Sequence, residues 1–187
     1  MTLLDKILNH NDEFVSTEQY VKFQTTKFPN KKVVILSCMD TRLIELLPSA
    51  MNIKNGDAKI IKNAGAIISH PFGSVMRSIL VALYELQADE VMIVGHHGCG
   101  MAGLESKSVL EKAATRGVDM QQIRDLEFLG IDVTSFLKGF DKVEDSVRHS
   151  VEMVNKHPLL PNDVPVHGLV IHPETGKLDL IIDGYKK

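Results

Sequence analysis

Apolar residues near the amino end fall at Leu3, Leu4, Ile7 and Leu8, and again at Phe14 and Val15. That spacing lines one face of a helix, so residues 1–30 read as a helical N-terminal arm suited to packing on a partner. From position 32 the pattern changes to an unbroken apolar run, KVVILS, rich in β-branched side chains. Runs of this kind mark strands covered on both faces, and Cys38 stands at the carboxyl end of this one. A short helix is expected over 44–51. AKIIK (58–62) reads as a second buried strand, ending in Asn63, Ala64 and Gly65.

After a loop with His70, Pro71 and Gly73, the segment SVMRSILVALYEL has helical periodicity and should cross back over the sheet. EVMIVG (90–95) is a third strand that delivers HHGCG at its end, and LESKSVLEKAAT returns to helical spacing. Strands alternating with helices in this way predict an α/β fold with parallel strands. Residues 119–139 mix short helical and loop signals and predict no definite element. A helix over 142–156 should stop ahead of Pro158. Two last strands, 166–171 and 178–182, flank HPETGK, a plausible turn. No repeat or linker interrupts the pattern, so residues 1–187 are expected to form a single domain.

Composition narrows the function classes. The chain has 21 basic and 24 acidic residues, a net charge of −3, scattered without a basic stripe, which argues against nucleic acid. No apolar run approaches the roughly 20 residues that span a bilayer, and the acidic residues of MTLLDKILNHNDEF do not suit a signal peptide. A cytoplasmic protein is expected, with no nucleic-acid or membrane partner. Two cysteines are too few for a disulfide framework, so each is a buried thiol or a ligand.

Ligands of open α/β sheets bind outside the carboxyl ends of strands where the strand order reverses. If the strand at 33–37 lies beside that at 91–95, Cys38 converges with His96 and Cys99. A Cys2His set with an open fourth position is a catalytic zinc pattern, whereas structural sites are usually closed by four protein ligands. Gly98 and Gly100 are expected to give the His96-x-x-Cys99 turn its backbone freedom. By itself the HxxC spacing also fits two packing residues.

Cys38-Met39-Asp40-Thr41-Arg42 adds to the metal reading, because an extended turn can aim a thiol, a carboxylate and a guanidinium into one pocket. Asp40 would orient a nucleophilic oxygen on the metal while Arg42 keeps the carboxylate ionised. The plainer alternative is a surface ion pair. Glycines 95, 98, 100 and 103 between a strand and a helix suggest a phosphate loop, but they match neither G-x-x-x-x-G-K-[ST] nor G-x-G-x-x-G. Cys38 and Arg42 are spaced too closely for a C-x5-R phosphatase loop.

Taken together, C-M-D-T-R, N-A-G and G-H-H-G-C-G resemble the β-class carbonic anhydrases, and the similarity extends from about residue 32 to 183 through S-V-R-H-S-V-E, H-P-L-L-P and V-H-G-L-V-I-H-P-E-T-G-K-L. The resemblance implies a mainly parallel sheet with flanking helices and an antiparallel edge strand. It implies one zinc ion per subunit on Cys38, His96 and Cys99, and an Asp40–Arg42 dyad. The reaction implied is reversible hydration of carbon dioxide to bicarbonate and a proton through zinc-bound hydroxide, in a homodimer or dimer-based oligomer.

Asn63, Ala64 and Gly65 would line the substrate pocket, and His97 and His70 are candidate proton shuttles. In this family the residue matching Asp40 can instead close the zinc site. Regulatory bicarbonate pockets in some members use a tryptophan, which this chain lacks. Rival readings are carbonyl sulfide or carbon disulfide hydrolysis on the same zinc, and a non-catalytic zinc or nucleotide-binding protein.

Overall fold

β1 (Val33–Cys38) is the predicted run shifted by one residue, and all six of its residues are buried. Period-two alternation divides it between two cores, with Val34 and Leu36 in one and Val33 and Ile35 in the other. β2 (Ala58–Asn63) and β3 (Glu90–His96) flank it, both parallel. β4 (Val166–Ile171) continues the parallel array beyond β3, and β5 (Leu178–Ile182) closes it antiparallel, in the order β2-β1-β3-β4-β5. This computed structural model describes residues 1–186. It shows the mixed sheet with an antiparallel edge that the resemblance implied.

The chain leaves β1 for β2 on one side and then returns to β3 on the other. The strand order therefore reverses between the carboxyl ends of β1 and β3, where α/β sheets place ligands. The reading of β2 as a buried strand is corrected. It is an edge strand of this sheet, partnered by β1 alone, and Ile60 is 43% exposed.

α3 (Ser74–Glu85) and α7 (Val143–Asn155) cover the face that carries Val34 and Leu36. α7 buries Val143, Val147, Ser150, Val151 and Val154, the helical stripe anticipated for 142–156. Each buried valine stabilises by about 1.5–3 kcal/mol relative to exposure. On the opposite face α2 (Leu43–Ala50) seats Leu43 and Leu47 in the second core. α1 (Leu3–Ser16) starts with a capping box between Thr2 and Asp5 and has no buried residue, and a short 3-10 turn (Gln19–Phe23) follows it. The arm is thus helical over part of 1–30 only.

α4 (Ser106–Thr115), α5 (Met120–Phe128) and α6 (Val133–Leu137) occupy the stretch from 106 to 137. The two helices missed in 119–139 start at side-chain caps, Asp119 accepting from the Gln121 N–H and Asp132 from the Ser135 N–H, both at 2.8 Å. Neither has a buried residue, so no apolar stripe announces them. Gly139 follows, and it anchors the turn that carries Cys99. Its N–H donates to the Leu104 carbonyl at 2.9 Å, and the Phe140 N–H donates to the Met101 carbonyl at 3.1 Å.

A Cβ at position 139 would lie 1.9 Å from the Met101 carbonyl oxygen and 2.9 Å from Leu104 Cβ. Backbone must move to admit it, and overpacking of this kind costs about 1–3 kcal/mol. Gly139→Ala is expected to lower the urea midpoint accordingly and to weaken metal binding through the displaced 99–104 turn. An unchanged midpoint together with unchanged metal affinity would contradict the clamp.

Candidate metal centre

Cys38 is the last residue of β1 and His96 the last of β3, so the adjacency of these strands brings a thiol and an imidazole together. The turn after β3 folds Cys99 back over the sheet end. Gly98 supplies its one left-handed residue, at φ +62°, whereas Gly100 does not adopt positive φ, so its expected role in that freedom is not seen. One ligand atom from each of Cys38, His96 and Cys99 lies within 4.8 Å of the others, and all three residues are buried.

The donor set fits a tetrahedral metal. The two Sγ atoms are 3.8 Å apart, the separation of two corners of a tetrahedron whose metal–sulfur bonds are about 2.3 Å. His96 Nδ1 lies 2.9 Å from the His97 carbonyl, which only accepts, so Nδ1 carries the proton and Nε2 presents a lone pair. That Nε2 is buried and has no hydrogen-bond partner. A buried acceptor left without a partner is costly, and a cation between Nε2 and the two sulfurs satisfies it.

Asp40 stands beside this trio without joining it, with Oδ2 3.7 Å from His96 Nε2. Both of its oxygens are held by Arg42. Nε donates to Oδ1 at 3.0 Å and Nη2 to Oδ2 at 2.8 Å, while the Arg42 N–H adds a bond to Oδ1 at 2.9 Å. Hydrogen bonding to the guanidinium holds the Asp40 carboxyl well below the usual carboxylate range. Nη2 also donates to the Gly98 carbonyl at 3.0 Å, so Arg42 ties the β1 loop to the β3 turn.

Backbone donors face both sulfurs, the Gly65 N–H at 3.3 Å from Cys38 Sγ and the Met101 N–H at 3.5 Å from Cys99 Sγ. Burial opposes ionisation of Cys38, but the neighbouring His96 imidazole and the hydrogen bond from the Gly65 N–H outweigh it and lower its pKa to about 7. Burial dominates at Cys99 and, with the Cys38 charge beside it, pushes the thiol up to about 11. The Cys38 sulfur beside it raises His96 in turn.

A metal must displace the protons still on these donors. At pH 8 Cys38 is mostly ionised and Cys99 is not, so binding is expected to release about one proton. Release approaches two as pH falls through about 7. The sign follows: affinity rises with pH, about tenfold per unit between 7 and 11 and more steeply below 7. Calorimetry in buffers of different ionisation enthalpy counts the protons, and a count independent of pH would contradict this assignment.

A cavity of about 500 Å³ opens on the site, with Cys38, Cys99, Asp40, Arg42, Ala64 and Gly65 in its wall. Gly65 sits at φ +80°, and a Cβ there would meet Ile67 Cδ1 at 2.9 Å. Asn63, expected in the pocket, does not line it. Its side chain is spent on its own loop, with Nδ2 donating to the Ile67 carbonyl and Oδ1 accepting from the Ile67 N–H. Sequence reasoning overlooked Lys62, whose Nζ donates to the Cys38 carbonyl at 3.2 Å and to Ser37 Oγ at 3.3 Å. Its place in β2, paired with β1 at Ser37, was the available signal.

Neither proposed shuttle lines this cavity. His97 is half-buried, with its ring 5.9 Å from that of His172. His70 is exposed and accepts from the Phe72 N–H at 3.0 Å, and its neighbours Pro71 and Phe72 line a separate groove with His157.

A buried thiol–imidazole–thiol cluster at the switch point of a mainly parallel sheet defines a class of metal-binding α/β proteins. Within it, the chain belongs to the β-class carbonic anhydrase family. The family pattern described as carbonic anhydrase matches residues 33–178. YvdA of Bacillus subtilis (strain 168), provisionally named a carbonic anhydrase, is 65% identical over 186 residues, covering 100% of this chain and 94% of its own.

The crystal structure of β-carbonic anhydrase isoform I from Trichomonas vaginalis superposes with a TM-score of 0.90 at 33% identity, over 99% of this chain and 100% of that one. A carbon disulfide hydrolase of Acidithiobacillus thiooxidans is 27% identical over 157 residues, 80% of this chain and 76% of its own. Among the described residues no helix is long and apolar enough to cross a membrane.

Proposed function

We propose that this protein catalyses the reversible hydration of carbon dioxide to bicarbonate and a proton, with one zinc ion per subunit held by Cys38 Sγ, His96 Nε2 and Cys99 Sγ. The observation that carries this reading is the Arg42-clamped Asp40 carboxylate next to a three-donor cluster that it does not close. Bound zinc supplies Lewis acidity, lowering the pKa of a coordinated water toward neutrality.

The chain's own residues do the rest. Asp40, kept ionised, offers only acceptors, so it takes a hydrogen bond from the attacking oxygen and turns a lone pair toward the carbon. Arg42 prevents the carboxylate from swinging onto the metal, because both carboxylate oxygens are engaged. Cys38 and Cys99 bring negative charge that tempers the metal's acidity, so turnover is expected to favour neutral to alkaline pH. Ala64 and Gly65 leave space for a small linear substrate. His97, adjacent to a ligand and half-buried, remains the better shuttle candidate, since His70 is engaged within its own loop.

A dimer suits the same reading, because α1 presents Leu3, Leu4, Ile7 and Leu8 at 53–74% exposure with nothing among the described residues covering them. A cytoplasmic setting suits two free thiols needed as ligands.

Hydrolysis of carbon disulfide or carbonyl sulfide is the second reading, favoured by the relative bearing the former activity in its name. Zinc stoichiometry and stopped-flow hydration, run beside turnover of both sulfur compounds, decide between them. The expected result is one zinc per chain with fast hydration. Negligible hydration with rapid sulfide release would transfer the assignment.

A further inference from the structure

Cys38 and Cys99 are the chain's only two cysteines, both free, with their sulfurs 3.8 Å apart in the wall of one cavity. We propose that the metal-free protein is a redox switch in which a small peroxide joins Cys38 and Cys99 in an intramolecular disulfide, withdrawing two of the three metal donors at once. The inference rests on the assignment of the trio as the metal site.

Closing to a disulfide bond of about 2.05 Å requires an approach of roughly 1.8 Å. The two sides of the gap differ in their freedom to move. Cys38 is held at the end of β1, which pairs with β2 through Cys38 itself and with β3 as far as Ser37. Cys99 lies in a turn between Gly98 and Gly100, and nothing within 4 Å would oppose a Cβ at position 100. The displacement therefore falls on the 97–101 turn. Arg42, through its bond to the Gly98 carbonyl, and the Phe140 N–H, through its bond to the Met101 carbonyl, are restraints that must give way.

The chemistry balances with hydrogen peroxide as oxidant. One sulfur attacks the peroxide, an S–O bond forms, the O–O bond breaks, and the departing hydroxide leaves as water with the thiol proton. The second sulfur attacks the resulting sulfenic acid, the S–S bond forms, the S–O bond breaks, and a second water departs with the second proton. The two thiols are oxidised by two electrons in total, and peroxide is reduced to two waters. Coordination occupies the sulfur lone pairs that attack, so a bound metal protects both thiols.

The test uses full-length protein, reduced, stripped with a chelator and then exposed to hydrogen peroxide, with zinc-loaded protein alongside. The stripped protein is expected to become two hydrogens lighter by intact mass, to fall from two titratable thiols to none in denaturant, and to refuse zinc until a reductant restores it. The loaded protein should keep both thiols over the same exposure. Cys99→Ser cannot resolve the first intermediate, so a dimedone adduct should appear on Cys38.

Oxygen additions without the loss of two hydrogens, a disulfide-linked dimer, or equally fast oxidation of the loaded protein would overturn the switch. Zinc binding by reduced protein without carbon dioxide hydration would sink the hydratase reading and leave the switch standing. Full hydration with no intramolecular disulfide would do the reverse.

Discussion

Cys99→Ala is expected to bind zinc about 10³-fold more weakly than the wild type and to lose turnover with it. Zinc held by small protein sites has an apparent binding free energy of about 10–16 kcal/mol near neutral pH. With three donors, removing one forfeits roughly a third, about 4 kcal/mol, which corresponds to about 10³ in affinity. Cys99 also brings the turn's only thiol to the site. The chain without metal should change little in stability, because Cys99 sits at the sheet's end and not within its strands. Competition with a chromophoric chelator reads the affinity. Wild-type affinity in this variant would show that the cluster is not the metal centre.

The second large effect separates chemistry from metal binding. Asp40→Asn should keep one zinc per chain while kcat/KM for hydration drops by about 10²–10³, the usual cost of removing one well-placed group that stabilises developing charge. The change is nearly isosteric, but an amide presents N–H donors where Arg42 already points two of its own. One of the two clamping bonds is then lost, and with it the negative charge and the second acceptor that orient the nucleophile. Stability should move by less than about 1 kcal/mol, since Asp40 and Arg42 form a partly exposed pair. Hydration at the wild-type rate with full zinc occupancy would remove Asp40 from the mechanism.

Local chemistry made much of this protein legible in its sequence. The unbroken runs at β1 and β3 are written in consecutive apolar residues rich in β-branched side chains, and the α7 stripe recurs at the helical period. Where burial does not accompany an element, the pattern is silent. α5 and α6 rest on single aspartate caps, and β2 looked buried because its apolar content says nothing about whether a second strand lies beyond it. Asn63 was misplaced for a similar reason, since a sequence does not show whether an amide faces a pocket or its own backbone.

By itself, the sequence determined that Cys38, His96 and Cys99 stand at strand ends, and that Asp40 and Arg42 follow Cys38 at alternate positions, because these relations hold between near neighbours along the chain. Only the tertiary structure decided that β1 and β3 lie side by side, that Arg42 reaches Gly98, that Lys62 backs Cys38, and that Gly139 clamps the Cys99 turn. Those contacts join residues from 24 positions apart, Cys38 and Lys62, to 57 apart, Val33 and Glu90. They depend on which surfaces bury one another, and local periodicity does not specify the partner.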